Sequence, residues 1–179
     1  MGTEASSQAA ALQMFDEARQ AFETVLEQAP EPALAYLKPG DDYALGGLVL
    51  HVNVVLEHYI DVLQGVMTGL DEVVLADDSA RFETAHAHAK EGLQAGELRP
   101  ALQRTDNLHS QLRTMAESVA AGDWERRSSV QIGTGSPYDA SAADVLIWVT
   151  DHYREHVPQA EELGRDWKSG SGRTSEAGH

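Results

Sequence analysis

Two histidines four residues apart, His152 and His156, and a third about 100 residues earlier, His51, are the residues of this chain best suited to chemistry. Four residues is close to one turn of an α-helix, so the two imidazoles leave the same face with Cβ atoms roughly 5–6 Å apart and can converge on one ion. Around them Ala142, Val145, Val149, Ala160, Leu163 and Trp167 recur at helical spacing, which puts both histidines inside an apolar, core-facing stripe. His51 flanks a second such stripe, Leu48, Val52, Val55 and Tyr59, and is expected to face the same interior. Three neutral imidazoles with one position left for water or substrate form a recurrent catalytic arrangement for zinc, and nickel, iron and manganese accept the same ligands. The plain alternative is a set of buried histidines hydrogen-bonded to their neighbours.

The remaining histidines fit less well. His58 lies seven residues after His51 on nearly the same face, but two turns or roughly 10 Å along the helix is too far to share one ion. It reads as a surface or pocket-lining residue. His109 sits at the edge of its own apolar stripe, and His86 and His88 in a polar, Ala-rich stretch, so all three read as structural or exposed. Asp151 and Glu155 precede the two histidines but point to other sides of the helix, as solvated groups or supports of the ligands. No catalytic residue is assigned beyond the proposed ligands. His152, Glu155 and His156 also spell H-x-x-E-H, the inverzincin metallopeptidase signature. That family needs a further acidic ligand well downstream and a large α/β domain, and only 23 residues follow His156.

The elements that must hold these residues are helices. A first helix runs from about Ser6 to Ala29 with Phe15, Ala18, Phe22, Val25 and Leu26 on one side, stopped by Pro30 and Pro32. Pro39, Gly40 and Asp42 break the chain before a second helix that carries His51 and ends near Gly69. Gly46 and Gly47, one turn before His51, are costly in a helix and point to close packing, to open space beside the ion, or to a frayed helix start. Ala80–Leu93 and Glu97–Ala121 read as a short and a longer helix, or one broken helix. The stretch between Gly122 and Ala140 reads as an extended connection with room for a small hairpin. Ser141 and Asp144 form a capping-box pattern that starts the last helix, expected to reach Trp167. Residues 1–168 are thus expected to form one helical domain, and 169–179, without apolar content, a disordered C-terminal tail.

Composition narrows the function. Of 179 residues, 42% are hydrophobic and only 6% aromatic, a mixture that suits an all-α protein. Thirteen Lys and Arg against 29 Asp and Glu give a net charge of −16, which would repel nucleic acid and anionic membrane surfaces. With no Cys any metal must take nitrogen or oxygen ligands, and a cytoplasmic location is expected. No segment is apolar and long enough to span a bilayer.

The segments LGGLVLHVNVVLEHYIDVL around His51 and ADVLIWVTDHYREHVPQAEEL with His152 and His156, with the separation between them, resemble the DinB-like superfamily over roughly Leu12 to Trp167. That superfamily includes bacterial thiol-dependent S-transferases and mycothiol-dependent maleylpyruvate isomerases. The resemblance implies a four-helix bundle with a long connection before the last helix. It also implies a metal triad of His51, His152 and His156, the residues already chosen by periodicity. The implied cofactor is a divalent metal, zinc or nickel first and iron or manganese next, with a low-molecular-weight thiol as cosubstrate. The function expected is a thiol-dependent transferase or isomerase, or a small-molecule hydrolase. The alternatives are a non-catalytic stress-response or binding protein with a structural metal or none, and an interaction module with no metal. A homodimer through an exposed helix face is compatible with a bundle of this size. Pro158, two residues after His156, departs from the pattern and should kink the helix beside the site. Tyr59 and Tyr153 are expected in the core, and Trp148 and Arg154 towards solvent.

Overall fold

A computed structural model describes residues 2–176 of the chain, with side chains for residues 7–170. In chain order the elements are α1 (Gly2–Glu27), a 3-10 turn (Glu31–Ala35), α2 (Gly47–Met67), β1 (Glu72–Leu75), α3 (Ser79–Glu91) and α4 (Leu98–Ser118). A second 3-10 turn (Ala121–Asp123), β2 (Ser128–Ile132), β3 (Tyr138–Ala140) and α5 (Ala142–Glu176) complete the chain. The fold is mainly α. Helices α1, α2, α4 and α5 make the bundle, with α1 against α5 and α2 against α4, while α3 packs on the outer side of α2.

The core follows from the helical repeats. Phe15, Phe22 and Leu26 of α1 are fully buried, as are Leu48, Leu56 and Leu63 of α2 and Leu112 of α4, and on α5 Val145 and Tyr153 join them. Helix α2 touches α3, α4, α5, β1 and β2, which explains why its apolar residues run almost all the way round. Ser141 and Asp144 form the expected capping box. The Asp144 N–H donates to Ser141 Oγ at 3.1 Å, while Asp144 Oδ2 accepts from the Ser141 N–H at 3.0 Å and from its hydroxyl at 2.8 Å. The start of α5, and with it the rotation of His152 and His156, is set by this cap.

The chain from Ala80 to Ala121 forms two helices, and 128–140 does contain a hairpin, β2 against β3 with Val130 opposite Tyr138. Unexpected from the sequence is β1, which pairs in parallel with β2, Val73 opposite Val130, to give a three-stranded sheet in the order β1-β2-β3. Helix α5 passes through Pro158 unbroken and continues beyond Trp167 to Glu176, across most of the segment expected as a disordered tail. Extending a helix already nucleated costs little per residue. Residues 177–179 of that expected tail lie outside the described residues. No helix among the described residues is long and apolar enough to cross a membrane.

Candidate metal centre

The N-terminus of α2 is held in place before His51 is reached. The amide of Ala44 donates to Ala89 O at the end of α3 (2.9 Å), Leu45 to Tyr36 O (2.9 Å) and Gly46 to Leu34 O (2.8 Å). A Cβ placed on Gly47 would lie 1.8 Å from Ala89 O, and one on Gly46 2.7 Å from Leu34 O. Of the readings open for this glycine pair, the structure selects close packing: backbone of α3 and of the 3-10 turn occupies the space where side chains would be. His51 follows Gly47 by one turn.

His51 meets His152 and His156 of α5 between the two helices. The three imidazoles each offer a nitrogen, and these nitrogens all lie within 4.8 Å of one another. His51 lies 4.9 Å from His152 and 5.1 Å from His156 between ring centroids. His152 Nε2 and His156 Nε2 are 3.2 Å apart. Two imidazoles bound at about 2.0–2.1 Å to one tetrahedral ion have their nitrogens about 3.3 Å apart, so this pair already has the required spacing. His156 is buried, and its Nδ1–H donates to Gln159 Oε1 at 2.8 Å. That bond fixes the tautomer and leaves the Nε2 lone pair facing the cluster.

The electrostatics match a donor set for a cation. Burial, and then the like charge of His156 and His86, lowers the pKa of His51 to about 4. Burial, with His156 and His51 as neighbours, lowers that of His152 to about 3. Burial also lowers that of His156, against the opposing hydrogen bond it donates to Gln159. All three rings are therefore neutral at physiological pH, the state in which imidazole ligates metal. The residues fit a borderline divalent ion with nitrogen ligands.

Two neighbours were not visible as such in the sequence. Tyr43, from the loop before α2, stacks on His51 with ring centroids 4.4 Å apart and stands edge-on to His156 at 6.2 Å. His86, expected to be structural or exposed, is half-buried on α3 with its ring edge-on to Tyr43 at 5.6 Å, and so belongs to the surroundings of the cluster. Gln159 had a local signal, because a residue three positions after His156 shares its face. Asp151, Arg154 and Glu155 are exposed, and so is His88. Trp148, expected towards solvent, is half-buried and lies 6.0 Å from Tyr59 and 6.1 Å from Tyr138.

His109 is buried away from the cluster. Its Nε2–H donates to Asp16 Oδ1 (3.0 Å), its Nδ1 accepts from the Tyr153 hydroxyl (3.4 Å), and Phe15 stacks on the ring at 3.8 Å. Burial outweighs the pull of Asp16 and lowers its pKa from 6.5 to about 4. Because the folded value lies below the unfolded one, its contribution to stability is complete above about pH 6.5 and is lost as the pH falls towards about 4. In that window one proton taken up on unfolding gives a slope of about 1.4 kcal/mol per pH unit. Urea melts of metal-free protein should show a slope shallower by about that amount in His109→Gln than in wild type. Equal slopes would mean that His109 already carries its proton in the native state.

The fold and this cluster define a class: helical-bundle proteins in which the second and last long helices bring three neutral imidazoles to one point. Within it, the chain belongs to the DinB superfamily, whose family model matches residues 14–160. Among solved structures it is similar to the crystal structure of the mycothiol-dependent maleylpyruvate isomerase. The TM-score is 0.66 at 9% identity, over 84% of this chain and 59% of that one. At that identity the likeness is one of fold, and the chain spans little more than half the length of that structure. No curated protein matches the sequence.

Proposed function

We propose that this chain is a divalent-metal-dependent enzyme that binds its ion through His51, His152 and His156 and acts on a small molecule, with a low-molecular-weight thiol as cosubstrate. The observation that carries this reading is the convergence of three neutral imidazole nitrogens within 4.8 Å, in a family whose structurally similar member is named for its thiol dependence. When bound, the ion would supply Lewis acidity, lowering the pKa of a thiol or water and so providing a nucleophile at neutral pH.

The chain's own residues supply placement. Tyr43 stacks on the His51 ring and Gln159 fixes the His156 tautomer, so two of the three donors need little reorganisation when a ligand arrives. With no Cys in the chain, a sulfur nucleophile has to enter with the cosubstrate. His156 is buried and His51 and His152 are half-buried, so the cluster is partly screened from bulk water.

The reading is tested by reconstituting the protein with zinc or nickel and screening thiols, mycothiol and cysteine among them, against small electrophiles. Metal- and thiol-dependent turnover in wild type, falling at least about a hundredfold in His51→Ala, is the expected result. Metal bound in stoichiometric amount with no turnover would instead favour the second reading, a structural ion that ties α2 to α5.

A further inference from the structure

His58, set aside above as too far from His51 to share an ion, lies two turns further along α2 in a different setting. Its Nδ1–H donates to Asp78 Oδ2 at 2.7 Å, and the same carboxylate oxygen accepts from Arg81 at 3.1 Å. Arg81 donates in turn to Asp61 Oδ2 at 3.0 Å. Tyr59 and Phe82 hold the imidazole edge-on, at 5.0 and 5.5 Å. The ring is thus fixed on three sides in one tautomer. Its second nitrogen, Nε2, has no partner among the described residues and is not sealed from solvent.

This group lines a cavity of about 510 Å³ formed by α2, β1, the loop before α3 and the end of β2. The volume falls in the range of small-molecule sites, about 300–1,000 Å³. None of His51, His152 and His156 lines it. Leu75, Ile132 and Gly65 give it an apolar side; His58, Asp61 and Asp77 give it a polar one. In the neutral ring, His58 Nε2 is an acceptor, as are the carboxylate oxygens of Asp61 and Asp77. The single cation on the wall, Arg81, is engaged by Asp61 and Asp78, and its Nε–H is shut off from solvent. Three carboxylates against one guanidinium leave the cavity negative. What fits is a molecule that brings hydrogen-bond donors and a positive charge on a small hydrocarbon body.

We propose that this cavity is a second ligand site, independent of the histidine triad, for a small organic ammonium compound. The hydrocarbon lies against Leu75 and Ile132, and the ammonium donates to His58 Nε2 and to the carboxylates of Asp61 and Asp77. An anion of the same shape is rejected by those carboxylates. The site needs no metal, so it stands or falls separately from the function proposed above.

The test is a titration of ¹⁵N-labelled protein at about pH 8 with benzylamine and hexylamine, both ammonium ions at that pH, as probes. Benzyl alcohol and benzoate serve as neutral and anionic counterparts. The expected result is saturable binding of at least one amine with a Kd of about 1 mM or tighter, and at least about tenfold weaker binding of the alcohol and acid. Amide shifts should centre on Gly65, Thr68 and Leu75–Asp77. Asp61→Asn, at a half-exposed side chain, and His58→Phe, which keeps the ring packing, should each weaken the amine at least about fivefold. His156→Ala should leave amine binding unchanged. No saturable amine binding, equal binding of benzoate, or shifts centred on the triad would each overturn the proposal.

Discussion

Purified gently, the wild-type chain is expected to carry about one divalent ion per molecule, and His51→Ala and His156→Ala to carry less than about a tenth of that. The size of the effect follows from the geometry. Three nitrogens supply the whole protein share of a four-coordinate site, and with two the ion loses both a bond and the closure between helices. Because the three histidines are already neutral, binding releases few protons, and metal content should hold down to about pH 6. Gln159→Leu should retain a site of roughly 10- to 100-fold lower affinity, since it loosens a ligand without deleting one. Elemental analysis of the variants in parallel decides the matter. Metal-free wild type that stays empty after incubation with zinc or nickel would leave the cluster as a hydrogen-bonded core group and remove the basis of the proposed chemistry.

Gly47→Ala is expected to destabilise the protein by about 4 kcal/mol or more, in the range that only severe steric or core defects reach. The added methyl would have to occupy a point 1.8 Å from Ala89 O, and backbone cannot turn aside as a flexible side-chain end can. Either α2 and α3 separate, breaking the hydrogen bond from Ala44 to Ala89 O, or the first turn of α2 shifts and carries His51 away from α5. For a chain of this size the melting temperature should fall by about 8–16 °C. Metal affinity of the folded fraction should fall with it, whereas Gly164→Ala, at a glycine with open space around it, should leave both measurements near wild type. An unchanged melting temperature in Gly47→Ala would show that α2 and α3 can move apart at little cost.

The candidate centre was unusually legible because two of its three proposed ligands are neighbours on one helix. The spacing of His152 and His156 and the apolar stripe around them are local properties. His51 was found by the same rule applied to a second helix, although nothing local could say that the two helices meet. His86, expected to be structural or exposed, gave no local sign of lying near the cluster because its own stretch is polar and Ala-rich; what brings it there is the way α3 lies across α2, held by backbone contact at Gly47. Tyr43 lies in a loop, where no periodicity indicates a facing direction. Strand β1 was missed because it has four residues, and a strand that short draws its stability from pairing with a distant partner. That partner, β2, begins more than fifty residues later.

By itself the sequence determined the helical class, the core-facing stripes, the cap that starts α5 and the pair of histidines on one turn. Each of these is a repeat or a pattern of a few residues whose energetics are settled within a single element. The tertiary structure alone decided that Gly47 gives its space to α3, that β1 pairs with β2, and that Tyr43 covers His51. It also joined His58 to Asp78 and Arg81 at a separate cavity. These are contacts between residues far apart in the chain, and their stability is realised only after the elements have packed and the cost of closing the loops between them has been met.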